Sequence, residues 1–91
     1  MKLKPKEKFA LRLLHDVAST PTAPGCEQRV IQFVERFVKQ RRALVLGRDR
    51  FGNLLIEFRR HVRSRAPRWV FQAHLDHPGF VATRLVDART L

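Results

Sequence analysis

The chain reads as an α/β protein, an incomplete three-layer sandwich in which two N-terminal helices pack on a mixed sheet of about four strands. Two observations predict this. The first 40 residues carry apolar side chains at helical spacing, and the remainder carries short β-prone runs separated by turn residues. The order is helix, helix and then four strands, without regular alternation, so a doubly wound domain does not follow directly. Two helices on one side of such a sheet would leave its other face bare.

Lys6 to Ala18 is the first helix: Phe9, Ala10, Leu13, Leu14 and Val17 fall on one face. Pro5 stands where a helix start tolerates proline, and Ser19-Thr20-Pro21 ends the run. His15 and Asp16 lie off the apolar stripe and are expected in solvent. Pro21 to Gln28 contains two prolines and a glycine and reads as a loop. The second helix runs from about Cys26 to Gln40, with Val30, Val34, Phe37 and Val38 as its stripe, widened by Ile31 and Phe33. Gly25 or Cys26 is the expected cap region, and Glu27 complements the positive end of the helix dipole.

Ala43 to Gly47 and Leu54 to Phe58 are short apolar runs around the polar loop Arg48 to Asn53, a pattern that predicts a hairpin. Gly52 and Asn53 both tolerate positive φ, which gives them a structural role. An arginine-rich loop, Arg59 to Arg68, follows. Trp69-Val70-Phe71-Gln72-Ala73-His74 is expected to be a buried strand, and Phe80 to Val86 a fourth, with Asp87 to Thr90 as a turn. Val30, Val34, Phe37, Leu54, Ile56, Val70 and Phe71 form the expected core.

The third strand carries the chemistry. In an extended segment, residues two apart share a side, so His74 and Asp76 face the same way while Leu75 points elsewhere. A metal-binding histidine needs its second ring nitrogen held, often by a carboxylate. His-x-Asp can supply both parts, and His77 adds a third titratable group. Ligands collect at the C-terminal ends of strands in α/β proteins, so this is where a cleft is expected. The alternative is a hydrogen-bonded histidine beside a turn-capping aspartate. Zinc takes three or four ligands, and His-x-Asp offers one or two.

Composition narrows the choices. Ninety-one residues make one small domain at most, and 44% hydrophobic residues exceed what a disordered tail carries. The single Cys26 rules out an intramolecular disulfide framework and a Cys-rich zinc site. It reads as structural or incidental, because no thiol-activating group is identifiable near it. No apolar run approaches a membrane span, and the lysine-rich N-terminus lacks a cleavage signal, so a cytoplasmic location is expected. The formal net charge is +11, with arginine supplying 14 of the 19 basic residues. Arg59, Arg60, Arg63, Arg65 and Arg68 lie in a stretch with no acid between Glu57 and Asp76. Such a run is either a solvated loop or a nucleic-acid contact. Tyrosine is absent and the phenylalanines fall at core-like spacings, which gives no obvious stacking platform.

Several stretches together resemble the N-terminal part of the glutamyl/tetrahedral aminopeptidases, a di-zinc family whose members have also been labelled cellulases or endoglucanases. They are Leu13-Leu14, Thr20-Pro-Thr-Ala-Pro-Gly-Cys-Glu27, Val30, Asp49-Arg-Phe-Gly-Asn-Leu54 and Ala73-His-Leu-Asp-His-Pro-Gly-Phe80, over about 75 residues. The resemblance implies that residues 1–91 are the incomplete N-terminal portion of a metallopeptidase catalytic domain, with 59–68 as a basic loop. It implies His74 as the first histidine ligand of a two-zinc site, Asp76 as the catalytic-site carboxylate supporting that ligand, and Asp49 to Leu54 as a structural hairpin. In such enzymes two metals polarise a peptide carbonyl and activate a bridging water. The other ligands, the glutamate general base and an inserted β-domain used in homo-oligomer formation would follow residue 91. His77-Pro78 stand where the family often has an acidic and an aliphatic residue. The resemblance implies a peptide substrate for the complete enzyme and no peptidase activity for this segment alone, while the lack of a long apolar run predicts no membrane association. A second reading is a small basic module that binds nucleic acid or an acidic partner through Arg59 to Arg68. A third, a self-contained zinc site of His74, Asp76 and His77, is expected to bind weakly or not at all.

Overall fold

The computed structural model describes residues 2–90. Its elements are α1 (Pro5–Ala18), α2 (Gln28–Lys39), β1 (Leu44–Arg48), β2 (Leu54–Phe58) and a 3-10 turn (Arg59–His61). The chain divides into two compact units, one of residues up to Val30 together with those from His74 onward, the other Ile31–Ala73.

In the first unit, α1 begins at Pro5, whose missing N–H costs nothing in the first turn. The Glu7 carboxylate accepts a hydrogen bond from the Lys4 backbone N–H at 2.7 Å, satisfying one donor that the helix start leaves open. At the other end the Ser19 and Thr20 N–H groups donate to the His15 and Val17 carbonyls, and the Thr20 hydroxyl donates to the Asp16 carbonyl at 2.8 Å. The expected stripe is present but thinly covered: Leu13 and Val17 are half-buried, while Phe9 and Leu14 are exposed. His15 and Asp16 lie in solvent, as expected.

The loop after α1 closes at Ala23-Pro24-Gly25-Cys26. The Cys26 N–H donates to the Ala23 carbonyl at 2.8 Å, and Gly25 takes φ 75°. Proline then glycine at the two central positions is the type II turn chemistry. This turn takes the place of the expected cap, so α2 starts at Gln28 rather than Cys26. Ala23 and Val30 are buried.

In the second unit, α2 continues with Ile31, Phe33, Val34 and Phe37 half-buried and Val38 buried. Arg36 and Lys39 in its last turn suit the negative end of the dipole. The Arg41 guanidinium lies 3.5 Å from the centre of the Phe37 ring and donates to the Phe37 carbonyl at 2.8 Å, closing the C-terminus. The Arg48–Glu35 pair, at 3.1 Å, is about half exposed and adds little.

β1 and β2 form the expected hairpin, antiparallel, with Leu44 opposite Phe58 and Arg48 opposite Leu54. Asp49 organises its loop. One carboxylate oxygen accepts the Phe51 and Asn53 N–H groups, both at 2.9 Å, and the other accepts the Asn53 side-chain amide at 2.8 Å. The Asn53 amide, followed by backbone N–H groups of the loop, holds the Asp49 carboxyl below its usual range. Gly52 takes φ 87°, where a side chain would be strained. Asn53 does not share that conformation and contributes its amide instead.

The expected mixed sheet of about four strands is corrected by the two-stranded antiparallel sheet found here, and with it the three-layer sandwich. Among the described residues, 69–74 and 80–86 form no strand. A strand exists only through its ladder, since each extended residue must find partners for its N–H and C=O groups. The hairpin supplies its own ladder across a five-residue loop, whereas 69–74 meets no edge. Trp69, Val70 and Phe71 are consequently 92%, 81% and 92% exposed. Of the expected core, Val30 is buried, Val34, Phe37 and Leu54 are half-buried, and Ile56, Val70 and Phe71 are exposed. Among the described residues the buried apolar side chains are Ala23, Val30 and Val38, a small core for a chain of this length. No helix among them is long and apolar enough to cross a membrane.

Candidate functional site

The segment from His74 to Gly79 lies in the first unit as an irregular chain with bends at Leu75 and Pro78. The strand expected to carry His74 is missing, so His74 and Asp76 meet through the Leu75 bend rather than through a pleat. They do meet. His74 Nδ1 lies 2.6 Å from the Asp76 backbone oxygen and 3.6 Å from Asp76 Oδ1. A carbonyl oxygen can only accept, so this contact requires the proton on Nδ1. The lone pair is then on Nε2, the nitrogen that would be offered to a metal. The imidazole is 82% exposed and Asp76 is 40% exposed, so the pair lies on the surface and not at the mouth of a cleft.

His77 makes a separate contact, with Nδ1 3.3 Å from the Pro78 carbonyl oxygen, and does not join the His74–Asp76 pair. Among the described residues no three or more His, Cys, Asp or Glu side chains gather as a metal would need. Zinc requires three or four ligands. The described donor set therefore does not fit a complete zinc site. Cys26 is exposed, and His15 with Asp16, at 3.3 Å, forms an isolated surface pair on α1.

Two stretches that the sequence placed in separate motifs come together. A Cβ built on Gly79 would stand 3.0 Å from the Thr22 carbonyl oxygen and 3.2 Å from the Ala23 side chain, so the Pro78-Gly79 turn lies directly on the Thr22-Ala23 loop. The Thr22 hydroxyl oxygen is buried and makes no hydrogen bond among the described residues. Neither feature was visible in the sequence, where Pro-Gly signals a turn but not the surface the turn rests on.

The basic loop resolves into two kinds of arginine. Arg68 is a structural clamp. It pairs with Glu57 at 2.6 Å and donates to the carbonyls of His61 and Ser64, holding the 3-10 turn and the chain after it. Arg59 is also engaged, donating to the Arg42 carbonyl at 2.9 Å. Arg63 and Arg65 make no side-chain hydrogen bond or ion pair among the described residues. The lack of acids between Glu57 and Asp76 was the available signal, because it leaves Glu57 as the nearest counter-ion in sequence for this loop.

No family model, curated protein or solved structure matches the chain.

Proposed function

We propose that this chain is the N-terminal part of a di-zinc aminopeptidase of the glutamyl/tetrahedral type, supplying one histidine ligand and its supporting carboxylate, and inactive by itself. The observation that carries the reading is the held imidazole: the Asp76 backbone carbonyl accepts from Nδ1 of His74 at 2.6 Å, the Asp76 carboxylate lies 3.6 Å from the same nitrogen, and Nε2 is left open. The remaining ligands, the general base, the peptide substrate and homo-oligomer formation belong to the complete enzyme.

The test joins this segment to the reading frame downstream of its last codon. The joined protein should release p-nitroaniline from aminoacyl anilides in a zinc-dependent manner, while the 91-residue chain should not. His74→Ala should abolish turnover, and Asp76→Asn, which leaves the backbone acceptor on Nδ1 in place, should lower zinc affinity or activity by no more than about tenfold. A joined protein that keeps full activity with His74→Ala would refute the proposal.

A further inference from the structure

The hairpin carries a second candidate site, unrelated to His74. Where β2 ends, Arg42, Ala43, Phe58, Arg59 and Arg60 line an open depression of about 500 Å³. Its lining is mostly apolar and includes Ala43 and the exposed Phe58. Its position is fixed by Arg59, whose backbone N–H donates to the Ala43 carbonyl at 2.8 Å and whose Nε donates to the Arg42 carbonyl at 2.9 Å. Arg59 is therefore a built-in staple between the end of β2 and the turn before β1.

The other two arginines are not used in this way. The Arg60 guanidinium lies over the Phe58 ring at 5.5 Å from its centre, and the His61 ring meets the Phe58 ring edge-on at 5.9 Å. The Arg42 side chain makes no hydrogen bond or ion pair among the described residues. Glu57, the acid nearest to Arg60 in sequence, is taken by Arg68. The depression thus combines a flat aromatic surface, a guanidinium already parked on a ring and a second uncompensated cation. A planar aromatic group that carries negative charge on a flexible link satisfies all three.

We propose that this depression binds single-stranded nucleic acid, with a base stacked against Phe58 and Arg60 and the adjoining phosphates on Arg42 and Arg60. Stacking on an exposed aromatic, with cationic side chains tracking the backbone, is the general physics of single-strand binding. A strand suits the site better than a free nucleotide because the depression is open and the uncommitted Arg63 and Arg65 follow it in the chain. The sequence hid this platform, because Phe58 closes an apolar strand pattern and looks like core. The proposal stands apart from the aminopeptidase reading and needs no metal.

The test is fluorescence anisotropy of the full chain with a labelled twelve-residue oligothymidylate at low and high salt. Because a charge of +11 attracts any polyanion, the Arg42→Gln/Arg60→Gln double variant is compared with Arg12→Gln/Arg84→Gln, which removes the same charge elsewhere. The first pair should weaken binding by about tenfold and lower the salt slope. The second should change affinity less than about twofold. Phe58→Leu should weaken binding at least about fivefold, and Phe58→Trp should restore it. Amide exchange in β1 and β2 shows whether each variant keeps the hairpin. Equal losses for the two double variants would overturn the proposal, as would unchanged binding by a folded Phe58→Leu. Full displacement by polyglutamate of matched charge, or by uridine monophosphate, would also overturn it.

Discussion

Two turns in this chain use the same device and produce different outcomes. At Asp49 a carboxylate accepts the N–H two residues on, from Phe51, at 2.9 Å. At Asp87 a carboxylate does the same for Arg89 at 2.8 Å and also accepts the Thr90 hydroxyl. Both carboxyls are held below their usual range, the first chiefly by the Asn53 amide and the second chiefly by the Arg89 backbone N–H. Around Asp49 the flanking segments pair into β1 and β2. Around Asp87 the preceding apolar run, 80–86, stays unpaired, with Phe80, Val81, Leu85 and Val86 exposed. Turn chemistry is thus not what makes a strand. The hairpin succeeds because Leu44 to Arg48 and Leu54 to Phe58 have equal lengths and face each other across the loop.

The largest expected effect lies at the turn that carries a ladder. Asp49→Ala removes the acceptor of three hydrogen bonds, and hydrogen exchange at Gly47 and Leu55, a hydrogen-bonded pair of the ladder, should accelerate at least about tenfold as the hairpin opens. Asp87→Ala should leave those amides unchanged. Acid should act the same way. A carboxyl whose folded pKa is lowered stabilises the fold above its unfolded pKa, near 3.9, and that contribution is lost as pH falls through the lower folded value. Hairpin protection should therefore be flat from neutral pH down to about 4 and fall below it. Loss of protection between pH 5 and 7 would point to a histidine instead.

A smaller effect is expected at Gly79, where the second region lies on the Thr22-Ala23 loop. Gly79→Ala puts a methyl group 3.0 Å from the Thr22 carbonyl oxygen, so the backbone of one of the two loops must give by a few tenths of an ångström. Overpacking of this kind costs about 1–3 kcal/mol, readable as a lower urea midpoint and as shifted resonances at Thr22 and Ala23. The smallest effect is expected at Trp69. With 92% of its surface exposed, it should show free acrylamide quenching, and Trp69→Ser should change stability by less than about 0.5 kcal/mol. A blue-shifted, protected tryptophan would mean that 69–74 had found a partner strand.

These contrasts also mark what the sequence could reveal. Both helices, the hairpin and the solvent positions of His15 and Asp16 were legible because each depends on contacts within a few residues. Helical spacing, Pro5, the Asp49-to-Asn53 loop and equal strand lengths are local information. The third and fourth strands were misread for the converse reason. Val70, Phe71 and Phe80 to Val86 have strand propensity, but propensity becomes structure only when an edge is available. The site was partly legible. The two-residue spacing of His74 and Asp76 did bring them together, although through a bend at Leu75 and in solvent. The rest of the basic loop was ambiguous in sequence because arginine serves equally as a clamp, as at Arg68, or as a binding group.

The backbone carbonyl of Asp76 holds Nδ1 of His74 and so leaves Nε2 as the ring nitrogen available to a ligand. Long-range proton–nitrogen correlation of the His74 imidazole, above the pH at which it is protonated, reports the tautomer directly. The account predicts a proton on Nδ1 and an unprotonated Nε2. A proton on Nε2 would contradict it.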